Sequence, residues 1–285
     1  MRHPRAVRRV IVVVMDALRP DAIDAFDLTN LRQLIRCGAA TLSATTVRPS
    51  VTFAAMTSLL TGVSPSVHGF ESDRFHIPRP RGPVMPLPRA LAAGGYPSTA
   101  LIAEIPLIFR PAARQIVARL GIGESRFVGR DSAGVLLAAQ RSLVSQRRGL
   151  ILMHWPDADR AGHAHGWMSH EYGEAARRMD RALGLLIGAH DVLTDPATVV
   201  IVLADHGGGG AVSNDHESTH PDDLTIPIVL AGGSIVSGAL APGCTLLDVP
   251  ATILWMLGVR APTSYSGRPL SEAFDAVVLG GVGVA

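Results

Sequence analysis

The sequence predicts an α/β domain whose mostly parallel sheet is covered by helices on both faces. Three observations carry this expectation. Apolar runs rich in β-branched residues alternate with segments of helical period. The clearest runs, Val10–Met15, Leu150–His154 and Thr198–Ala204, are apolar along their length, as strands buried on both faces must be. No repeat and no linker splits the 285 residues, so they read as one domain.

In chain order, Val10–Met15 is the first strand. Thr29–Cys37 places apolar residues at helical spacing and Gly38 stops it. Ala40–Val47 alternates weakly, as a second strand would. Thr52–Leu60 is a short helix that opens after Pro49-Ser50 and closes near Gly62. The stretch Ile77–Pro88 holds Pro78, Pro80, Pro83, Pro86 and Pro88 and reads as loop, with a small lid at about 64–89. Leu87–Ala93 is a helix and Ser98–Ala103 a strand. Pro111–Leu120 and Asp131–Ser145 are helices, the second capped by Asp131 or Ser132. Leu150–His154 is a strand, His170–Ile187 a long helix, Thr198–Ala204 and Ile226–Leu230 strands, and Leu247–Leu257 the last helix.

Composition narrows the class. Hydrophobic residues make up 47% and charged residues 18%, which suits a packed core and excludes a disordered chain. A formal charge of +2 gives no strong pull toward nucleic acid or a membrane surface. Cys37 and Cys244 fit no CxxC pattern and read as two free thiols. The apolar run Val10–Met15 is too short for a signal sequence, and no run nears the ~20 residues of a spanning helix. A soluble, cytoplasmic protein is expected.

The chemistry lies at the carboxyl ends of the strands. Val10–Met15 ends in Asp16, Leu150–Trp155 runs into Pro156-Asp157-Ala158-Asp159, and Thr198–Ala204 ends in Asp205-His206. Ligands of open α/β sheets bind beyond the carboxyl ends of strands, so three strands deliver carboxylates to one edge. A single such Asp would read as a cap or turn residue. Three of them, two with histidine nearby, point to a metal site. Asp159 and His163 stand four apart and share one face of a helical turn. Asp205 and His206 can share a site only where the chain turns, for which Gly207–Gly210 give freedom. Asn214-Asp215-His216-Glu217-Ser218-Thr219-His220 adds His216, with His220 as its competitor. His3, His68, His76, His154, His170 and His190 read as core or surface groups, and His165 stays open. Asp and His donors with accessible positions suit zinc, with manganese or iron as alternatives.

A hydroxyl at the start of Thr52–Leu60 would lie beside unpaired backbone N–H groups, a natural anion site. The same position suits a helix cap formed by Ser50 or Thr52. The residues alone leave nucleophile and cap both open.

Five segments, IVVVMDALRPD, PSVTFAAMTSLLTGVSPSVHG, WPDADRAGHAHG, VIVLADHGG and HESTHPDDLTIPIVLAGG, occur in an order that resembles the alkaline phosphatase superfamily, in particular its type I phosphodiesterase/nucleotide pyrophosphatase branch. The closing DVPATILWMLGV is similar as well. The resemblance implies an alkaline-phosphatase-like three-layer sandwich over residues 1–285 and two bound divalent metals. It places Asp16, Asp205 and His206 on one metal beside a threonine nucleophile, Thr52, which is also a ligand. It places Asp159, His163 and His216 on the other. Asp159 is chosen over Asp157 by its spacing to His163, and His216 over His220 by its distance to Ile226-Pro227. The implied activity is a phosphodiesterase acting through phosphothreonine on a small phosphate-ester substrate. Phosphomonoesterase and phosphonate (C–P) hydrolase activity are alternatives, and a non-catalytic ligand-binding homologue is a more distant one. The branch usually carries an asparagine three residues after the nucleophile, where this chain has Ala55, so phosphohydrolase is the safer expectation than nucleotide diesterase. Phosphomutases of the superfamily carry an inserted domain, and sulfatases need a modified Cys or Ser where Thr52 stands. The Gly207–Gly210 run offers a Rossmann-type nucleotide-binding module as a further rival, against which stands the lack of GxGxxG spacing after the first strand.

Overall fold

The computed structural model describes residue 4 and residues 6–72, 79–105, 107–189 and 192–274. Its strands are β1 (Arg9–Met15), β2 (Ala39–Thr45), β3 (Ser98–Ile102), β4 (Glu124–Phe127), β5 (Gly149–Trp155), β6 (Thr198–Leu203), β7 (Thr225–Gly232) and β8 (Gly238–Ala239). The α-helices are α1 (Ala22–Ala25), α2 (Thr29–Cys37), α3 (Thr52–Thr61), α4 (Pro65–His68), α5 (Leu87–Ala93), α6 (Arg110–Leu120), α7 (Ser132–Ser145), α8 (Asp157–His165), α9 (His170–Ala189), α10 (Pro221–Leu224) and α11 (Asp248–Met256).

The strands form one sheet in the order β4-β3-β5-β1-β6-β7-β2-β8. From β4 to β6 every neighbour is parallel. β7 runs antiparallel to both β6 and β2. Every residue of β1, β5 and β6 is buried, which is why these runs are apolar throughout. One helix group, α2, α7, α8 and α9, packs together and against β3, β5 and β7; a second, α3, α5, α6 and α11, forms the other layer and meets β3 through α5. The architecture is the alkaline-phosphatase-like α/β sandwich that the sequence predicts.

The register decides the site. Met15 pairs with Trp155 and Val14 with Leu203, so β5, β1 and β6 finish level, side by side in the centre of the sheet. The acidic residues that succeed them emerge at one edge. Arg9, 1% exposed, fixes the opposite end of β1. Its guanidinium donates to Thr198 Oγ1 at 2.9 Å and to the Leu143 carbonyl at 3.0 Å, and faces Asp195 at 3.6 Å.

Helix ends follow local chemistry. Asp131 caps α7 by accepting from the Gly134 N–H at 2.9 Å, which decides between the two caps expected there. Gly62 closes α3 in the left-handed region at φ 67. Gly38 closes α2 for another reason. Its φ is −115, but a Cβ there would stand 2.2 Å from the Leu230 carbonyl oxygen.

Two features lie beyond the sequence pattern. β4 is a half-exposed edge strand of sequence ESRF, with no apolar run to betray it. The antiparallel direction of β7 is a long-range property that no local pattern records. Ile77, Pro78 and the centre of the expected lid, like His3, His76 and His190, lie outside the described residues. Of the flanks of that lid, Pro65–His68 and the stretch from Leu87 are helical. Cys37 and Cys244 are free thiols. Among the described residues, no helix is long and apolar enough to cross a membrane.

Candidate metal centre

Asp16, Asp159 and Asp205 converge at the shared edge of β5, β1 and β6. Asp205 is fully buried. Its Oδ1 accepts from the backbone N–H groups of Ala17 (3.2 Å) and His206 (3.1 Å), which aims the carboxylate into the site. Its Oδ2 makes no hydrogen bond. Burial works to raise the Asp205 carboxyl, but the His206 and His154 rings and the Ala17 N–H outweigh it and hold it below the ordinary carboxylate range. Asp16 lies with Oδ1 3.4 Å from His206 Nε2. Asp159, on the first turn of α8, keeps Oδ1 buried without a hydrogen bond, 3.4 Å from His163 Nε2.

The histidines share one wiring. His206 Nδ1 faces the Gly207 carbonyl at 2.8 Å, His216 Nδ1 the Ser50 carbonyl at 2.7 Å, and His163 Nδ1 the Asn214 carbonyl at 3.1 Å. A carbonyl only accepts, so each Nδ1 carries a proton, and each Nε2 without one turns its lone pair inward. These lone pairs meet. His216 Nε2 stands 3.1 Å from His163 Nε2, and the His206 and His216 rings stack at 4.1 Å. Two acceptors at 3.1 Å repel unless a proton or a cation lies between them. Burial, and then the neighbouring His206, push His216 below the usual histidine range, which disfavours the proton. Histidines that donate Nδ1–H to a backbone carbonyl while presenting Nε2 are wired as metal ligands are. Together with the carboxylate oxygens of Asp159 and Asp205 that lack hydrogen bonds, this donor set fits divalent metal.

Two sets of donor atoms lie close enough to hold an ion: Asp159, His206 and His216, and Asp16, His154 and Asp205, each within 4.8 Å. Of the ligands that the resemblance implies, Asp16, Asp159, Asp205, His206 and His216 fall in these sets, but His206 joins Asp159 and His216 rather than Asp16 and Asp205; His163 stands beside them, its Nε2 3.1 Å from His216 Nε2. His154 is the residue that sequence reading missed. It is the penultimate residue of β5, its Nε2 makes no hydrogen bond, and it stands 3.3 Å from Asp16 Oδ2. Within an apolar run its type was the only signal, and the same signal attends core histidines. His220 is separate: its Nδ1 accepts from the Asp222 N–H at 3.2 Å and caps α10. Asp157 is separate too, bound to the Ser132 N–H at 2.7 Å and to Arg178 at 3.6 Å. His165 is exposed.

Thr52 is the first residue of α3, and its Oγ1 lies 3.1 Å from His206 Nε2. The cap reading does not hold: Val51 is the N-cap, no side chain caps the helix, and Ser50 Oγ donates instead to the His216 carbonyl. Ala55 is fully buried in the apolar core, so the position that lacks an asparagine is packed rather than open.

The frame around the site is tight. Gly207 and Gly208 are required by space more than by turning: a Cβ would stand 1.9 Å from the Asp222 carbonyl oxygen and 2.2 Å from the Trp167 ring. Trp167 donates Nε1–H to the Ala17 carbonyl at 3.2 Å and presents its ring edge-on to His163 at 5.2 Å. Asp223 accepts from the Gly210 N–H and from Ser218, which fixes the loop carrying His216. A cavity of about 330 Å³ opens beside Asp16, Thr52, His154 and Asp159 and runs between α3, the end of β3 and α6.

Comparison with known proteins bears on this arrangement. Residues 10–83 and 115–232 match the family described as type I phosphodiesterase / nucleotide pyrophosphatase. Among curated proteins, the 2,3-bisphosphoglycerate-independent phosphoglycerate mutase of Synechococcus sp. is 25% identical over 153 residues, covering 50% of this chain and 27% of its own length. That of Thermomicrobium roseum is 28% identical over 143 residues, covering 48% and 26%. The chain thus spans about a quarter of the length of these relatives. Among solved structures, murine ectonucleotide pyrophosphatase/phosphodiesterase 5 in an inactive form with AMP superposes with a TM-score of 0.73 at 12% identity, covering 94% of this chain and 100% of that one. A phosphonate monoester hydrolase from Silicibacter pomeroyi gives 0.65 at 14% identity, covering 92% and 76%. At such identities these structures share the fold.

Proposed function

The chain belongs to the type I phosphodiesterase/nucleotide pyrophosphatase family, and from that premise we propose that it is a metal-dependent phosphohydrolase, a phosphodiesterase acting through a phosphothreonine on Thr52. One observation carries the reading: the Nε2 atoms of His163, His206 and His216 and the Oδ atoms of Asp159 and Asp205 point into one space beside the Thr52 hydroxyl. We read residues 1–285 as one catalytic domain.

Asp16, Asp205, His206 and Thr52 would hold one divalent ion, and Asp159, His163 and His216 the other; zinc suits the mixed Asp/His donors, with manganese or iron as alternatives. When bound, such ions lower the pKa of a nearby hydroxyl and neutralise charge on a phosphoryl group. The chain's own residues supply the rest. His206 Nε2 and the Thr52 hydroxyl lie 3.1 Å apart, so both donors would face the ion they share. The start of α3 adds backbone N–H groups and the positive end of its dipole where a phosphoryl oxygen would lie. Thr52 Oγ1 attacks phosphorus, the ester oxygen leaves with a proton, and water then cleaves the phosphothreonine.

Metal content and turnover test this together. Purified protein should carry two equivalents of metal and hydrolyse bis-4-nitrophenyl phosphate faster than 4-nitrophenyl phosphate or phosphonoacetate. Thr52→Ala should retain metal and lose at least ~1,000-fold in kcat, an effect of the size expected for a nucleophile. Full turnover by that variant removes Thr52 from the chemistry. Full turnover by chelator-treated protein removes the metals. A preference for the monoester or the phosphonate shifts the assignment to those classes on the same site.

A further inference from the structure

We propose that the substrate is a phosphate ester of an apolar, chain-like alcohol, whose hydrocarbon part occupies the cavity beside Thr52. This rests on the phosphohydrolase reading and names its substrate class. The cavity begins at Asp16, Thr52, His154 and Asp159, so a phosphorus atom at the site places one ester substituent at its entrance. Its volume, about 330 Å³, falls at the small end of the ~300–1,000 Å³ range of ligand sites. Beyond the entrance its walls are hydrocarbon: Met56 and Leu60 from α3, Ile102 and Ile105 from the end of β3, Ile116 and Leu120 from α6.

The polar groups that reach the cavity are already engaged. Thr57 Oγ1 donates to the Phe53 carbonyl at 2.7 Å. Arg160 donates to the Arg130 carbonyl, and Glu104 lies 3.8 Å from Arg110. A nucleoside brings base edges and ribose hydroxyls that lose free energy when buried without partners, and these walls offer few. An alkyl chain needs none. The chain's second matched family segment begins at residue 115, so Ile102, Ala103, Glu104 and Ile105 fall between the two matched segments. The exposed Leu107 and Ile108 come shortly after them in the sequence, on the turn that enters α6.

The test is a series of n-alkyl 4-nitrophenyl phosphates from methyl to decyl. In each, water supplies hydroxyl to phosphorus and 4-nitrophenolate leaves with the P–O bonding pair. Each added methylene should raise kcat/KM roughly fourfold until the cavity is full, the value expected from burial of a methylene. Ile116→Trp, which fills the cavity, should lower the octyl-to-methyl ratio at least tenfold, and Leu120→Trp serves if the first variant does not fold. Turnover of the methyl ester with a flat chain-length profile overturns the inference and leaves the phosphohydrolase reading standing. So does a thymidine 5′-(4-nitrophenyl phosphate) used tenfold better than the octyl ester. If no ester is turned over, the phosphohydrolase reading fails, and the cavity is judged by titration with octylphosphonate against methylphosphonate, where equal affinity overturns it.

Discussion

His68 and His216 are the same residue at the same burial, 2% exposed each, yet they sit in regions built to opposite ends. His68 is satisfied within the fold. Its Nδ1 accepts from the Phe70 N–H at 3.1 Å, which leaves the proton on Nε2 to donate to Ser58 Oγ at 2.9 Å. His216 is satisfied on one side only. Its Nδ1 donates to a carbonyl, while its Nε2 faces the lone pair of His163. Burial therefore does not separate a structural histidine from a candidate ligand, whereas the count of nitrogens left over does. The first region keeps itself closed without an ion. In the second, the His163 and His216 Nε2 acceptors face each other and need a proton or a cation between them.

The strongest way to break this contrast is at His206, whose Nε2 lies near both Thr52 and Asp16. His206→Ala should cost more than the ~10–100-fold in metal affinity that accompanies loss of an outer-shell partner, and kcat/KM should fall by at least ~1,000-fold. Calorimetric titration with zinc and steady-state rates on bis-4-nitrophenyl phosphate measure both. Unaltered zinc affinity would show that the converging Nε2 atoms are not a metal site.

A second test is set at His68 and reads stability. Burial holds its pKa in the folded protein down at about 4, below the ordinary 6.5. Between these values the unfolded chain takes up a proton that the folded one refuses. Stability is therefore full above about pH 6.5 and falls as pH drops toward 4, by no more than ~1.4 kcal/mol per unit. His68→Gln should be less stable at pH 7 but should show a shallower loss between about pH 6.5 and 4.5, measured by urea unfolding against wild type. Zinc affinity at neutral pH should stay within a few-fold of wild type. Equal slopes in the two proteins would mean that His68 is not held neutral by burial, and the contrast with His216 would lose one side.

Much of this contrast was legible in the sequence, and the reasons are local. Asp16, Asp205 and His206 come after apolar runs whose ends mark the sheet edge, and Asp159 and His163 stand at helical spacing. His68 was read as a core or surface group, and the structure buries it. His154 was assigned the same way, and there the structure differs. It reaches Asp16 because β5 and β1 are neighbours in register, with Val14 opposite His154, and nothing within either strand encodes that pairing. Trp167 was missed for the same reason: its place depends on the close approach of Gly208, 41 residues on, as well as of nearby Gly162. The cavity was illegible because α6 and the end of β3 contribute ordinary apolar residues, and their alignment with Thr52 is a property of the fold.

The smallest effect is expected at Ser50, and it sharpens the contrast by separating side chain from backbone. Ser50 touches His216 twice: its Oγ donates to the His216 carbonyl, and its own carbonyl accepts from His216 Nδ1. Only the second contact sets the tautomer that turns the Nε2 lone pair inward. Ser50→Ala removes the first and keeps the second, so it should cost the ~1 kcal/mol of one hydrogen bond in stability while zinc affinity falls less than about tenfold. If the His216 wiring depended on the side chain, the variant would instead lose zinc as severely as His206→Ala, and the outer support of the site would have to be assigned to the Ser50 hydroxyl rather than to the backbone that precedes α3.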